Sequence, residues 1–119
     1  MIALGTDTAS AFSNDDELIK DLLGASKASM EPIWHMPITD EHKGNMVGNY
    51  GDLNNVGKSR YGGACTAAAF LLRFVEKDTK WCHLDIAGPC MRGTAKPPFC
   101  NDQTGFGASL ILHYIVNSL

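Results

Sequence analysis

The chain has 119 residues, which is one domain's worth of polypeptide at most. Apolar residues make up 45% and charged residues 19%, enough for a modest core and too apolar for a disordered segment. Ten Lys and Arg against thirteen Asp and Glu leave a net charge of −3, so no broad basic surface is available for a phosphate backbone and nucleic acid is excluded as a first partner.

No apolar run approaches the ~20 residues needed to span a bilayer, which excludes the membrane as a partner. The opening Met1-Ile2-Ala3-Leu4-Gly5 lacks a basic leader and meets Asp7 at once. The expected location is therefore the cytoplasm. Cys65, Cys82, Cys90 and Cys100 are irregularly spaced, with no Cys-x-x-Cys pair. They read as reduced, mostly buried thiols.

In chain order, residues 1–4 read as the tail of a helix closed by Gly5. Thr8 to Ser13 is a strand of small residues. Asn14 is expected to cap a helix over about 15–29, with Glu17 completing a capping box and Leu18, Ile19, Leu22 and Leu23 at helical spacing. Pro32 and Pro37 bracket an extended segment, Ile33 to Met36. Residues 39–62 are rich in Gly, Asn and Asp and predict a long loop with one helical turn near 39–43.

Residues 64–75 predict a helix so uniformly apolar that it should be buried on most sides. Trp81 to Ala87 is a strand expected to be covered on both faces. Residues 88–103 predict a loop, and Ala108 to Val116 a final helix. The order of elements reads as α/β.

Most constellations that could carry chemistry fail on spacing. Gly57-Lys58-Ser59 follows Gly51 by five residues rather than four and no apolar strand feeds it, so it is not a phosphate loop. Gly105-x-Gly107 lacks the third glycine of a dinucleotide fingerprint, because position 110 is Leu110. Cys65 has no adjacent base and reads as packing. His83 and Asp85 alternate onto one strand face and could present two metal ligands, but no wider ligand set accompanies them. The alternative is a buried pair satisfied by backbone or a basic neighbour.

Several ordered motifs carry a resemblance. They are Asp52-Leu53-Asn54-Asn55-Val56-Gly57-Lys58, the run from Gly63 through Cys65 to Leu71, and Trp81-Cys82-His83-Leu84-Asp85-Ile86-Ala87-Gly88, flanked by Trp34-His35-Met36-Pro37 and Thr104-Gly105-Phe106-Gly107. Together they resemble the C-terminal part of the catalytic domain of the M17 leucyl aminopeptidases, the cytosol aminopeptidases. The fold implied is the C-terminal segment of a mixed-sheet α/β/α metallo-exopeptidase domain, with residues 1–119 a partial domain.

The resemblance implies a two-metal enzyme, with zinc or manganese, that releases N-terminal residues such as leucine from peptides and assembles as a hexamer. It also implies that the metal ligands and the N-T-D-A-E-G-R motif precede the matched stretch, so no catalytic or metal-binding residue carries over. Val56 matches an aliphatic residue lining the pocket beyond the scissile bond. Ala87 matches a small residue lining the pocket for the N-terminal side chain, and Cys90 stands where a methionine is common.

Three functions follow as expectations. The first is a piece of a metal-dependent aminopeptidase, inactive alone. The second is an inactive structural or assembly paralogue, of the sperm-type kind, and the third a small-molecule binding module using an inherited pocket. In each case the apolar faces of the 64–75 helix and the 81–87 strand should be open, inviting association with itself or a larger assembly.

Overall fold

A computed structural model of the chain describes residues 1–92 and 102–119. Residues 93–101 of the expected 88–103 loop, Cys100 among them, lie outside the described residues. At the start of the chain the Gly5 N–H donates to the Met1 carbonyl at 2.8 Å, with Gly5 at φ +73°, so a glycine-closed turn stands where the tail of a helix was expected.

The core is a three-stranded mixed sheet. β1 (Ala9–Ser13) is central, β2 (Ile33–His35) lies parallel on one side and β3 (Cys82–Asp85) antiparallel on the other. Four of the five β1 residues are buried, as small side chains allow when both sheet faces are covered. The register sets Phe12 opposite His83 and Ser10 opposite Asp85, so these four side chains share one face. Ala9 and Ala11 take the other face.

Helix α1 (Asp16–Ser29) fills the expected span, but its cap differs. Asp15, not Asn14, is the N-cap, and its carboxylate accepts the Leu18 N–H at 2.7 Å. That shift of one residue removes Glu17 from the capping-box position. Asn14 instead bridges to the approach of β3: its Nδ2 donates to the Thr79 carbonyl and its Oδ1 accepts the Trp81 N–H, both at 2.8 Å. Each such hydrogen bond contributes about 0.5–1.5 kcal/mol net.

Ile19, Leu22, Ala25 and Ser26 are the buried face of α1. Buried Ser26 is fully used: its hydroxyl donates to the Glu31 carbonyl at 2.7 Å and accepts the Ile33 N–H at 3.1 Å. The loop from 39 contains the expected short helix, α2 (Asp40–Gly44), capped by Thr39 and His42. Beyond it the chain folds back around Met46, which is 1% exposed, with a bridge between Val47 and Leu53.

Helix α3 (Gly63–Leu72) is the predicted apolar helix, two layers away from α1. It buries only Cys65, Thr66, Ala68 and Ala69. Leu71 is exposed, as is Phe74 beyond the helix end, so the expectation of burial on most sides is not met among the described residues. The same correction applies to β3, whose four residues are each half-buried rather than covered on both faces. β3 lies at the edge of the sheet beside β1, and α3 packs on the sheet through only part of its surface.

Within the expected 88–103 loop, β4 (Met91–Arg92) and β5 (Asp102–Gln103) pair as a short antiparallel ribbon. The chain ends in α4 (Ala108–Ser118), longer by two residues than predicted. α1 and α4 cover the face bearing Ala9, Ala11 and Ile33, with Phe106 and Leu110 closing that core. α3 covers the opposite face through Cys65 and Ala68 against Phe12. The result is an α/β/α sandwich around a mixed sheet, as expected. Fully burying a side chain such as Leu110 or Phe12 contributes about 1.5–3 kcal/mol.

Candidate functional site

β1 and β3 run in opposite directions, so the start of β1 and the end of β3 meet at one edge of the sheet. The N-terminus of α3 meets the same edge. Ser10, Asp85 and the Gly62–Cys65 turn therefore surround a cavity of about 390 Å³, which Met36, Arg60 and Tyr61 also line.

Of the residues expected to line a substrate pocket, Val56, Ala87 and Cys90, none is among the described lining of this cavity, although Ala87 lies two residues past Asp85, which is. Ala87 is exposed, and its N–H donates to Asp85 Oδ1 at 3.1 Å. Cys90 is half-buried, and its N–H donates to the Ile86 carbonyl at 2.9 Å. The turn between them is held from several sides. Thr104 Oγ1 donates to the Pro89 carbonyl at 2.6 Å, and the Thr104 N–H to the Cys90 carbonyl at 3.0 Å. Gly88 leaves no room for a side chain, since a Cβ there would come within 2.5 Å of the Gly5 carbonyl oxygen. Ala87 is thus a small, exposed residue on a firmly held turn.

Val56 is 72% exposed, in the loop before α3. Its neighbour Gly57 lies against the first turn of α3, where a Cβ would be 3.4 Å from Thr66 Oγ1. The segments carrying Val56 and Ala87 are thus both anchored at the α3 N-terminal end of the sheet. The Cys90 thiol donates to the Ala87 carbonyl at 3.8 Å, whereas no described hydrogen bond joins Val56 to either of them.

His83 and Asp85 do share a face. His83 stacks between Phe12, at 5.9 Å between ring centroids, and Trp81, at 6.2 Å. Burial holds its pKa below the usual histidine value, partly opposed by the nearby Asp85 charge. Asp85 takes a backbone partner, Ala87. The structural reading of this pair fits better than a ligand pair, and among the described residues no group of three or more His, Cys, Asp or Glu side chains converges to hold a metal. The residues present do not fit a two-metal centre.

The thiols are equally quiet. Burial raises the Cys65 pKa and pushes Cys82 up to about 11, far from a nucleophile's range. Cys65, Cys82 and Cys90 are all free; Cys65 is buried, whereas Cys82 and Cys90 are only half-buried, against the expectation of mostly buried thiols. Among the described residues no helix is long and apolar enough to cross a membrane.

Sequence reasoning passed over Ser10, Met36 and Arg60. Two signals pointed toward the cavity. Ser10 alternates with Phe12 on a strand otherwise of small residues, and Gly62-Gly63 opens an apolar helix with no Ser, Thr, Asp or Asn to cap it.

The chain matches the cytosol aminopeptidase family, catalytic domain, over residues 1–112. It is 40% identical over 117 residues to a probable cytosol aminopeptidase of Prochlorococcus marinus (strain MIT 9215), covering 98% of this chain and 24% of that protein. To the probable cytosol aminopeptidase of Chloroherpeton thalassium it is 42% identical, covering 98% of this chain and 23% of the relative. A mutant of tomato leucine aminopeptidase superposes with a TM-score of 0.89 at 35% identity, over 98% of this chain and 22% of that structure. The chain spans about a quarter of the length of the curated relatives it matches. It belongs to the cytosol aminopeptidase family.

Proposed function

We propose that this chain supplies sheet, helices and part of the substrate-pocket wall to a metal-dependent leucyl aminopeptidase that releases N-terminal amino acids from peptides. Residues 1–119 constitute a partial catalytic domain. The observation that carries this reading is the held turn at Ala87, a small exposed residue on a rigid support at the end of β3. A larger residue there would fill the space a leucine side chain must enter, and rigidity keeps the discrimination sharp. Val56 lines the pocket beyond the scissile bond and Cys90 borders the Ala87 pocket.

The complete enzyme uses two divalent ions, zinc or manganese, works as a hexamer and resides in the cytoplasm. This chain's share is binding and orientation. With no ligand set for a metal pair among its described residues, it does not hydrolyse peptides by itself. Support for the class comes from the family and from relatives named as cytosol aminopeptidases.

A chimera tests the pocket assignment. The matched 117 residues of this chain replace the corresponding quarter of the Prochlorococcus marinus relative, with and without Ala87→Leu. The expected result is hydrolysis of leucyl substrates that Ala87→Leu lowers at least tenfold, with alanyl substrates spared. Equal loss for both substrates, or none for either, removes Ala87 from the pocket.

A further inference from the structure

The turn after β3 runs from Ile86 to Cys90 and closes on itself through the Cys90 N–H and the Ile86 carbonyl. Gly88 and Pro89 within it are buried, while Ala87 stays exposed. The Gly5 carbonyl backs Gly88 closely enough to exclude a side chain there, so the N-terminal turn supports one side.

Thr104 holds the other side from a distant point in the chain. Its Oγ1 donates to the Pro89 carbonyl at 2.6 Å, and its N–H donates to the Cys90 carbonyl at 3.0 Å. The same Oγ1 accepts the Phe106 N–H at 3.2 Å. Phe106 is 6% exposed and belongs to the core closed by α1 and Leu110. One hydroxyl therefore joins the turn bearing Ala87 to the packed core. A threonine that shaped only its own loop would need the Phe106 bond alone. Pro89 is fully buried, so little water can replace a lost donor at its carbonyl, and the turn would have to shift to find one.

We propose that Thr104 is a positioning residue for leucyl selectivity: its hydroxyl fixes the Ala87 turn against the Phe106 core, and with it the depth of the pocket that receives the N-terminal side chain. This rests on the assignment of Ala87 to that pocket. A site loses discrimination when the support behind its wall is loose by about 1 Å. A leucine side chain reaches the wall and feels that loss, whereas an alanine methyl stops short of it. The effect falls on KM rather than kcat, because the turn holds the bound side chain in ground state and transition state alike.

The test has two arms. In the full 119-residue chain, Thr104→Val is expected to speed hydrogen exchange of the Cys90 amide about tenfold relative to the Leu110 amide, which Glu31 holds in the core. In the chimera with the Prochlorococcus marinus relative, Thr104→Val should raise KM for a leucyl anilide about fivefold and leave kcat and the alanyl KM unchanged. Thr104→Ser, which keeps the hydroxyl, should restore both readouts. If Thr104→Val does not fold, Thr104→Ala, which removes the hydroxyl without setting a methyl against the Pro89 carbonyl, is read the same way. Unchanged Cys90 exchange, a KM rise shared by both substrates, or no rescue by serine overturns the proposal. Ala87→Leu without a selective effect fails the pocket assignment and takes the proposal with it; a selective Ala87→Leu beside a silent Thr104→Val fails the proposal alone.

Discussion

The Glu31 carboxylate accepts the Leu110 N–H at 2.7 Å, joining residues 79 positions apart in a buried contact. Gly107, the N-cap of α4, offers no side chain, so the cap comes from the chain entering β2. Glu31 is 6% exposed and Leu110 fully buried. One carboxylate thus ties the last helix to the first half of the sheet. Glu31→Ala leaves a buried N–H without a partner and should cost about 1–3 kcal/mol in urea unfolding. Glu31→Gln keeps an acceptor oxygen and should recover most of that loss. Equal losses for the two variants would mean that packing, not the hydrogen bond, holds α4.

Met30 ends α1 in a left-handed conformation, φ 57°, with its side chain 84% exposed. A Cβ in that region is disfavoured, and glycine is the residue that adopts it freely. Met30→Gly should therefore raise stability by about 1 kcal/mol, read as a higher urea midpoint at unchanged slope. A lower midpoint would show that the exposed methionine makes contacts of its own.

The helices and strands were largely legible because their signals are local. The carboxylates at 15–17 against the apolar spacing of α1, and the proline bracket around β2, are written in neighbouring residues. The cap of α1 was missed by one position because Asn14 is drawn away to Thr79 and Trp81, a contact made only by folding. The Glu31 cap is invisible in sequence for the same reason. The apolar content of β3 and α3 predicts burial on most sides, which the structure does not show, whereas the expectation that their apolar faces stand open in this chain agrees with half-buried β3 and exposed Leu71 and Phe74. Family motifs marked the Val56 and Ala87 segments as candidates. The cavity lined by Ser10, Asp85 and the start of α3 depends on β1 and β3 running in opposite directions, and no single motif encodes that.

Burial in the Phe12–Trp81 stack lowers the pKa of His83 below 6.5. The unfolded chain then takes up a proton first as pH falls. Stability is full above about pH 6.5, declines as pH drops through that value, and levels off below the folded pKa. His83→Phe should flatten the urea midpoint over this window while preserving the stack. An unchanged pH slope in the variant would place the sensitivity elsewhere. A separate loss at strongly acidic pH is expected from Asp15, whose pKa the Leu18 N–H and Lys80 hold below the usual carboxylate value.

Thiol labelling should be ordered by burial. At pH 8 iodoacetamide should modify half-buried Cys90 well before Cys65 and Cys82, which are held protonated by their surroundings. Peptide mapping separates these sites from Cys100. Early modification of Cys82 would show that β3 opens readily.

The central claim is that the described residues of this chain offer no metal-ligand set with which to activate water. Leucyl-anilide hydrolysis by the pure 119-residue chain, with Mn²⁺ or Zn²⁺ added and a chelator control, tests it most directly. The account predicts turnover no greater than that of the metal solution alone. Turnover that scales with chain concentration and vanishes with chelator would contradict it.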